Sequence, residues 1–409
     1  MATATQNGSK DGDGPERLSS IPDTGETLID NPMNRLTEAQ LKEIGEAFDQ
    51  LHDDVKGDLG ERDAKYIRSM IELQRRLAVL GRILTFGSKY RPLQVSGAAV
   101  LSVAKILENM EIGHNVLHGQ WDWMNDPVIN STAWDWDSIS PSDGWKFSHN
   151  YVHHTYSNIR GMDRDLGYEI MRIDPHQKWH PIFLAQPFYN LLLMAFFEWG
   201  VAFHDVDLGA IVARKKPILD VKQTLRGIVK KAGTQMTKDY IAVPALSGRH
   251  FKRALAANFA ANVVRNVWAH SIIFCGHFPD QTYTFSFDDV DLDNESRGQW
   301  YIRQLLGAAN IDGSPLFHVM SGNLSYQLEH HLFPDMPSTR YAEIAPRVRE
   351  ICEKYELPYN TGPFGKQLGT VHRTIIRLAF PGGKPRSKPG PYKGDKLRSE
   401  GESAEKLAA

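Results

Sequence analysis

The chain has 409 residues, a formal net charge of −2 and two cysteines. The charge is balanced, and no run of lysine and arginine is interleaved with aromatic residues. Both features argue against a nucleic-acid partner. Cys275 and Cys352 are far apart in the sequence, so they provide no disulfide framework. Two cysteines also cannot hold an iron–sulfur cluster, which needs about four ligands. The opening residues MATATQNGSKDGDG lack the basic and apolar profile of a signal peptide.

Polar composition separates the two ends of the chain from its body. Residues 1–34 and 381–409 are poor in apolar residues, and we predict that both segments are disordered. Between them, residues 35–380 form one predicted domain. Thr37 with Gln40 makes a capping box, and it opens an amphipathic helix. A second helical pattern runs over residues 63–87. Period-two strand patterns are scarce, so the predicted fold class is all-α.

Three apolar stretches are candidates for membrane spans, which need roughly 20 mostly apolar residues. Residues 181–203 form the clearest one, with a single charge at Glu198. Residues 254–278 are long enough but carry Arg265 and His270, and residues 92–107 are short. Hydropathy alone leaves open the alternative that all three are buried core helices. The basic residues 214–216 follow the first stretch closely and indicate a cytoplasmic end.

Eight of the 16 histidines lie at spacings that suit metal binding. Neutral imidazole is a favoured ligand of iron, copper, nickel and zinc. Residues four apart on a helix share one face, and adjacent residues diverge by about 100°. The adjacent pairs can therefore reach two different metals. Since one tetrahedral zinc takes four ligands, this ligand number favours a two-metal centre. The candidate ligands are His114, His118, His149, His153, His154, His277, His330 and His331.

The other residues around these clusters narrow the choice of metal. The His-Glu-x-x-His motif of zinc proteases does not occur, and the Glu-x-x-His spacing of carboxylate-bridged di-iron bundles occurs only at Glu111–His114. Two irons held almost entirely by histidine remain. We expect nearby carboxylates to accept ring N–H groups of the ligands; these are Glu111, Asp163, Asp165 and Glu329.

The remaining histidines have a plainer interpretation. We take His52, His176, His180, His204, His250 and His372 as surface or core residues. His270, with Asn266 one turn before it, and His318 stay open as ligands. Five tryptophans between the first two clusters either wall an apolar substrate channel or serve packing and interface anchoring; they are Trp121, Trp123, Trp134, Trp136 and Trp145.

At this point the sequence resembles a known family. The order His-x3-His, His-x3-His-His and Gln-x2-His-His is similar to the three histidine boxes of membrane fatty-acid desaturases. The flanking sequences GHNVLHGQWDW, GMDRDLGY and SGNLSYQLEHHLFPDMPSTRY strengthen the likeness, which runs from about Asp63 to about Pro363. Within the family, the chain looks closest to actinobacterial acyl-CoA desaturases of the stearoyl-CoA 9 type.

The resemblance implies a fold, a cofactor and a location. The seven box histidines would ligate two irons, with His277 where such enzymes place an extra histidine. The fold would be an integral membrane bundle of about four transmembrane helices with a cytosolic helical cap that carries the metals. The protein would then sit in the cell membrane, surrounded by lipid, with its metal site on the cytoplasmic side.

The resemblance also implies an activity and a redox partner. The reaction would be O2-dependent insertion of a cis double bond into a long-chain acyl-CoA, with carbon 9 as the expected position. Some desaturases carry a fused cytochrome b5 domain with His-Pro-Gly-Gly, but this chain has Phe380-Pro381-Gly382-Gly383. We therefore expect electrons from a separate ferredoxin-type or NADPH-dependent oxidoreductase. The alternatives are a histidine-rich di-iron hydroxylase, a desaturase of other regiospecificity, and a metal-transport protein. A transport protein should carry its metal-binding residues inside its spans. Here the histidine clusters flank the strongest apolar stretch, which argues against transport.

Overall fold

The computed structural model describes Leu18, Thr24 and residues 31–212 and 216–394. Most of the predicted disordered segment 1–34, the tail beyond residue 394, and Arg214 and Lys215 lie outside this part. The chain is mainly helical, as expected. The α-helices are Glu38–Gly57, Glu61–Phe86, Arg91–Ile106, Asn115–Leu117, Ser142–Trp145, His154–Tyr156, Gln186–Ala195, Phe197–His204, Leu208–Val212, Ile218–Met236, Val243–Leu246, Phe251–His277, Arg297–Gly307, Pro315–Met320, Gln327–Leu332, Tyr341–Lys354 and Phe364–Leu378.

Shorter elements connect these helices. The π-helical segments are Leu107–His114, Lys146–His153 and Thr237–Ala242. The 3-10 turns are Pro32–Arg35, Asp122–Met124, Leu166–Glu169, Pro181–Ala185, Gly248–His250, Phe287–Asp289 and Ser338–Arg340. Two small parallel sheets pair Ile159–Arg160 with Phe285–Ser286 and Asn310–Asp312 with Thr361–Pro363. Each sheet joins segments that are far apart in the sequence.

The first helix forms as its sequence predicts. The Thr37 side chain accepts a hydrogen bond from the Gln40 backbone N–H, and the Gln40 side chain accepts one from the Thr37 N–H, which completes the capping box. The apolar face is buried against helix Arg297–Gly307. That contact is close enough that a Cβ on Gly298 would lie 1.9 Å from the carbonyl oxygen of Leu41. Glycine is therefore required where the two helices touch.

Three longer helices surround the histidine-bearing segments. Glu61–Phe86 confirms the second predicted helix, and it packs against Arg91–Ile106, which in turn packs against Phe251–His277. Arg91–Ile106 continues without a break into the π-helical segment Leu107–His114. The last turn of Phe251–His277 ends on a buried histidine. This bundle delivers two candidate ligand segments to one end of the molecule.

The predicted transmembrane bundle is contradicted by the geometry of these helices. Among the described residues, we find no helix with both the length and the apolar content needed to cross a bilayer. Residues 181–203 divide at Phe196, whose φ of −121° and ψ of 36° separate two short helices. Helix Phe251–His277 is long, but it carries buried polar side chains such as Arg265 and Asn262. The expectations of a multi-pass membrane fold, a cell-membrane location and a cytoplasmic-side metal site are therefore wrong for the part of the chain that is described.

Residues 381–394, which we assigned from sequence to a disordered tail, make contacts with the domain although residues 381–393 form no helix or strand. The Arg172 guanidinium donates hydrogen bonds to the carbonyl oxygens of Phe380 and Gly382, at 3.3 and 2.9 Å. Further along, the Tyr392 N–H donates to the Leu357 carbonyl at 3.0 Å. The segment is thus attached at both ends, and we call residues 384–391 the C-terminal strap.

Candidate metal centre

The first histidine cluster lies where a π-helical segment returns to α-helix. His114 ends Leu107–His114 and His118 follows one turn later. Their ring centroids are 4.5 Å apart, so both rings point to the same side, as the four-residue spacing predicts. π-helical turns are rare and often occur at functional sites, and nothing in the sequence marked this one.

The second cluster has the same backbone form. His149 and His153 lie on the π-helical segment Lys146–His153, with stacked rings whose centroids are 5.0 Å apart. His154 begins the next turn, and its ring stands at 73° to that of His153. The adjacent pair diverges, as predicted, and the His154 ring approaches His331 at 4.5 Å between centroids.

The third cluster and His277 complete the arrangement. His330 and His331 lie on the short buried helix Gln327–Leu332, with their rings perpendicular to each other. His330 faces His118 at 4.7 Å, whereas His331 faces His277 at 4.8 Å. The structure therefore brings all eight candidate histidines together from four separate parts of the sequence.

Seven of the eight rings form two sets, and the eighth, that of His154, lies between them. His114, His118, His149 and His330 offer nitrogen atoms that all lie within 4.8 Å of one another, and His153, His277 and His331 form a second such set. The His154 ring lies within 5 Å of rings in both sets, including His118 and His331. Two sets with one histidine between them suit two metal ions.

Hydrogen bonding leaves the inward nitrogens available. Four histidines have an Nδ1 atom within 2.9–3.1 Å of a polar side chain. The pairs are His149 with Asp165, His153 with Asp163, His330 with Tyr341, and His331 with Gln304. The Nε2 atoms of these four histidines are buried and have no hydrogen-bond partner, as is also true of His118 Nε2 and of both ring nitrogens of His154. Buried polar atoms without partners are costly, so these nitrogens fit a bound metal.

The electrostatics keep most of these rings neutral. Burial lowers the pKa of His114 to about 3, and burial together with neighbouring histidines holds the pKa values of His118 and His154 well below the ordinary range. Burial also lowers the pKa of His330. Burial opposes protonation of His153 too, but the adjacent Asp163 carboxylate outweighs it and raises the pKa. Neutral rings can bind a metal without first losing a proton.

Two of the four predicted carboxylate partners are confirmed. Asp163 lies 3.0 Å from His153 Nδ1, and Asp165 lies 3.1 Å from His149 Nδ1. The prediction is wrong for the other two. Glu111 accepts a hydrogen bond from Tyr66, at 2.7 Å, and Glu329 accepts one from Tyr359, also at 2.7 Å.

A cavity of about 60 Å³ adjoins the histidines, and its lining combines aromatic and aliphatic side chains with polar and charged ones such as Glu198 and Arg265. Trp145 stacks on the His149 ring at 4.6 Å, and Trp136 lies next to it in the same wall. Tyr168 and Phe197 form another part of the lining. Of the five tryptophans, Trp136 and Trp145 line this cavity, whereas Trp121 and Trp123 pack in a separate core cluster. Trp134 packs against that cluster and also against the one that contains Trp136 and Trp145.

One residue that we assigned to surface or core lies at the centre's edge. His204 Nε2 is 3.0 Å from Asp165, and His204 also lines the cavity. Its sequence neighbourhood gave no signal, because 39 residues separate it from Asp165. His270 instead packs on Phe274, and His318 contacts Ser325 at 2.7 Å, so neither joins the ligand sets among the described residues.

Comparison with known proteins agrees with this geometry. The fatty acid desaturase family model matches residues 92–363. The NADPH-dependent stearoyl-CoA 9-desaturase of Mycobacterium tuberculosis is 48% identical over 350 residues, which cover 85% of this chain and 82% of that protein. The sn-1 linoleoyl-lipid 6-desaturase of Synechocystis sp. is 25% identical over 292 residues, which cover 66% of this chain and 76% of that protein. The chain therefore belongs to the fatty acid desaturase family, an oxidoreductase family, and its histidine clusters are compatible with the metal site of such an enzyme.

Proposed function

We propose that this protein introduces a cis double bond at carbon 9 of a long-chain fatty acyl-CoA, with two irons held by histidine. The observation that carries the proposal is the convergence of eight histidines, seven of which have a buried ring nitrogen without a hydrogen-bond partner; these seven are His118, His149, His153, His154, His277, His330 and His331. The relative at 48% identity is named as a stearoyl-CoA 9-desaturase, which supports both the substrate class and the position.

His114, His118, His149 and His330 would hold one iron, and His153, His277 and His331 the other. His154 lies between the sets and would serve either ion. Nitrogen donors of this kind suit iron. Bound iron would supply the O2-dependent oxidation that removes two hydrogens from an unactivated carbon chain. The protein residues supply ligand geometry: Asp163, Asp165, Tyr341 and Gln304 fix ring orientation from behind.

The cavity beside the histidines is the proposed place for the reacting carbons. Trp136, Trp145, Tyr168 and Phe197 offer an apolar wall on which a methylene chain can lie. His114, His149 and His277 reach the same cavity, so a chain placed there would contact both ligand sets. The wall also excludes water from the reacting carbons, which limits side reactions.

The electrons would come from a separate oxidoreductase. The sequence has no Gly-x-Gly-x-x-Gly fingerprint after a strand and only two cysteines, both buried and unpaired. The name of the Mycobacterium tuberculosis relative includes NADPH dependence, which supports a reductase that takes electrons from NADPH. We propose a ferredoxin-type or NADPH-dependent partner for this chain.

The test is product analysis in a host that lacks its own desaturase. The expected result is a cis double bond at carbon 9 of stearoyl chains, located by mass spectrometry after derivatisation. The matched control is the His153→Ala chain, which should be produced at the same level without product. A hydroxylated acyl chain in place of the alkene would establish the hydroxylase alternative, and a double bond at another carbon would contradict the proposed position.

A further inference from the structure

A second cavity shares a lining residue with the cavity beside the histidines. His277 lines both the cavity beside the histidines and a second one bounded by Thr374, Arg377 and Lys388. The second cavity shares His176, Arg386 and Lys388 with a third, of about 390 Å³, which is lined mainly by the C-terminal strap. Shared lining residues thus link the third cavity to the second, and His277 links the second to the proposed place of reaction.

The outer cavities are strongly basic, and we call them the basic vestibule. The cations are Arg373, which contacts Asp280, and the lining residues Arg35, Arg377, Arg386 and Lys388. Three carboxylates line the same cavities, those of Asp174, Asp280 and Glu356. Asp280 already contacts Arg373 and lies 3.4 Å from Arg386. Asp174 accepts hydrogen bonds from His176 and Thr284 and lies 3.8 Å from Arg160.

Two cations of the vestibule, Arg377 and Lys388, donate hydrogen bonds to backbone carbonyl oxygens and not to carboxylates. Arg377 has no carboxylate within 4 Å among the described residues; its guanidinium donates to the Lys384 carbonyl at 2.5 Å. Burial lowers the pKa of Arg377, and repulsion by Arg386 and Arg373 lowers it further. The Lys388 ammonium likewise donates to a carbonyl, that of Thr282. An anion bound among these groups would relieve their mutual repulsion.

A second feature also points to a ligand. The Thr374 side chain is only 3% exposed, its hydroxyl has no hydrogen-bond partner, and it lines the same cavity. Buried hydroxyls are normally satisfied, so this one is free to bond with a bound group. The anchoring of the strap by Arg172 and by Tyr392 holds the basic groups in place before any ligand arrives.

We propose that the basic vestibule binds the phosphate groups of CoA, so that the acyl chain extends past His277 into the cavity beside the histidines. Arginine pairs with phosphate through two parallel hydrogen bonds, and a cluster of arginines suits a ligand with several phosphates. The order of the cavities matches such a molecule, with an anionic head, a reacting middle and an apolar end. This inference rests on the proposed desaturase function and assigns its head-group site to the C-terminal strap.

The test compares three thioesters of the same stearoyl chain: stearoyl-CoA, stearoyl-dephospho-CoA and stearoyl-pantetheine. In Arg377→Gln and Arg386→Gln, KM for stearoyl-CoA should rise tenfold or more, as expected when a charge-assisted hydrogen bond is lost. The kcat value and the KM for stearoyl-pantetheine should stay unchanged. Arg226→Gln, an exposed arginine on helix Ile218–Met236, is the charge-matched control.

Binding gives a second readout that does not depend on turnover. Adenosine 3′,5′-bisphosphate should bind the wild-type chain in calorimetry and bind both variants at least tenfold more weakly. Unchanged KM and unchanged nucleotide binding in the variants would overturn the proposal, and so would an equal rise in KM for stearoyl-pantetheine. If the wild-type chain desaturates stearoyl-pantetheine, the proposed function stands even when the head-group assignment fails; if it desaturates none of the three thioesters, the acyl-thioester substrate itself is wrong.

Discussion

His204 and Asp165 are in contact at the edge of the histidine centre, with 3.0 Å between His204 Nε2 and Asp165 Oδ1. The other carboxylate oxygen of Asp165 lies 3.1 Å from Nδ1 of His149. Burial would raise the pKa of the Asp165 carboxyl, but hydrogen bonding with His149 and His204 outweighs burial and holds the pKa well below its ordinary value. His204 therefore helps to position Asp165, which in turn orients a proposed ligand.

We expect His204→Ala to lower iron affinity and turnover about 10- to 100-fold, the usual cost of losing an outer partner of a ligand. Iron per chain measured by plasma mass spectrometry separates this effect from a change in substrate binding. His204→Gln keeps a donor at similar reach and should recover most of the loss. Full iron content and activity in His204→Ala would contradict the positioning role; His250→Ala is the histidine control.

Removal of single ligands should distinguish the two sets. His118 belongs to one set and His331 to the other. Each single variant, His118→Ala or His331→Ala, removes one donor from one set, so it should abolish turnover and reduce bound iron from two ions to about one per chain. Iron content after anaerobic reconstitution and the iron electronic spectrum are the measurements. A variant that retains both ions and full activity would remove that histidine from the proposed ligand set.

Turnover should require a separate redox protein. The purified chain with NADPH, stearoyl-CoA and O2 should form no product until an oxidoreductase is added. The coupling should weaken as salt rises, because docking between charged surfaces is screened. Product formation by the single chain with NADPH as the only reductant would contradict the prediction.

Glu111 should make stability depend on pH. Burial raises its pKa from 4.5 to about 8, although hydrogen bonds from Tyr66, Asn323 and Ser338 oppose the rise. The folded chain therefore keeps a proton that the unfolded chain releases, and this group's contribution to stability is lost as pH rises from 4.5 towards 8. The slope cannot exceed about 1.4 kcal/mol per pH unit for one proton.

In Glu111→Gln, this part of the pH dependence should disappear. The measurement is the thermal midpoint of wild type and variant across that pH range at constant salt. Glu350→Gln, on the exposed face of helix Tyr341–Lys354, should leave the wild-type profile unchanged. Parallel profiles for wild type and Glu111→Gln would show that Glu111 is ionised in the folded protein throughout the range.

Gly322 should not tolerate a side chain. Its φ of +68° favours glycine, and an added Cβ would lie 2.3 Å from the carbonyl oxygen of Met110, in the segment that carries His114. We expect Gly322→Ala to destabilise the fold by about 1–3 kcal/mol and to lower iron content. Gly369→Ala, inside helix Phe364–Leu378 with no atom within 4 Å of its added Cβ, should instead be neutral or stabilising by about 0.5–1 kcal/mol. Chemical unfolding curves decide both cases.

Local spacing in the sequence was sufficient to identify the first helices and the candidate ligands. A capping box and an i, i+3, i+4 apolar pattern act within one helix, so Thr37 and Ile44 behave as their neighbours in sequence require. The pair His330–His331 diverges because adjacent residues on any helix must diverge. Asp163 and Asp165 follow their histidine partners by 10 and 16 residues, and it is the fold of the intervening strand and turn that brings them together.

Only the tertiary structure decided how these segments meet. The apolar content of residues 181–203 suggested one long span, but the backbone at Phe196 breaks it into short helices, and hydropathy contains no information about such a break. His204 contacts Asp165, and the C-terminal strap lines a cavity that His277 also lines, although these residues are distant in the chain. Local patterns fix which side chains share a face, whereas long-range packing determines which faces meet, and the histidine centre depends on both.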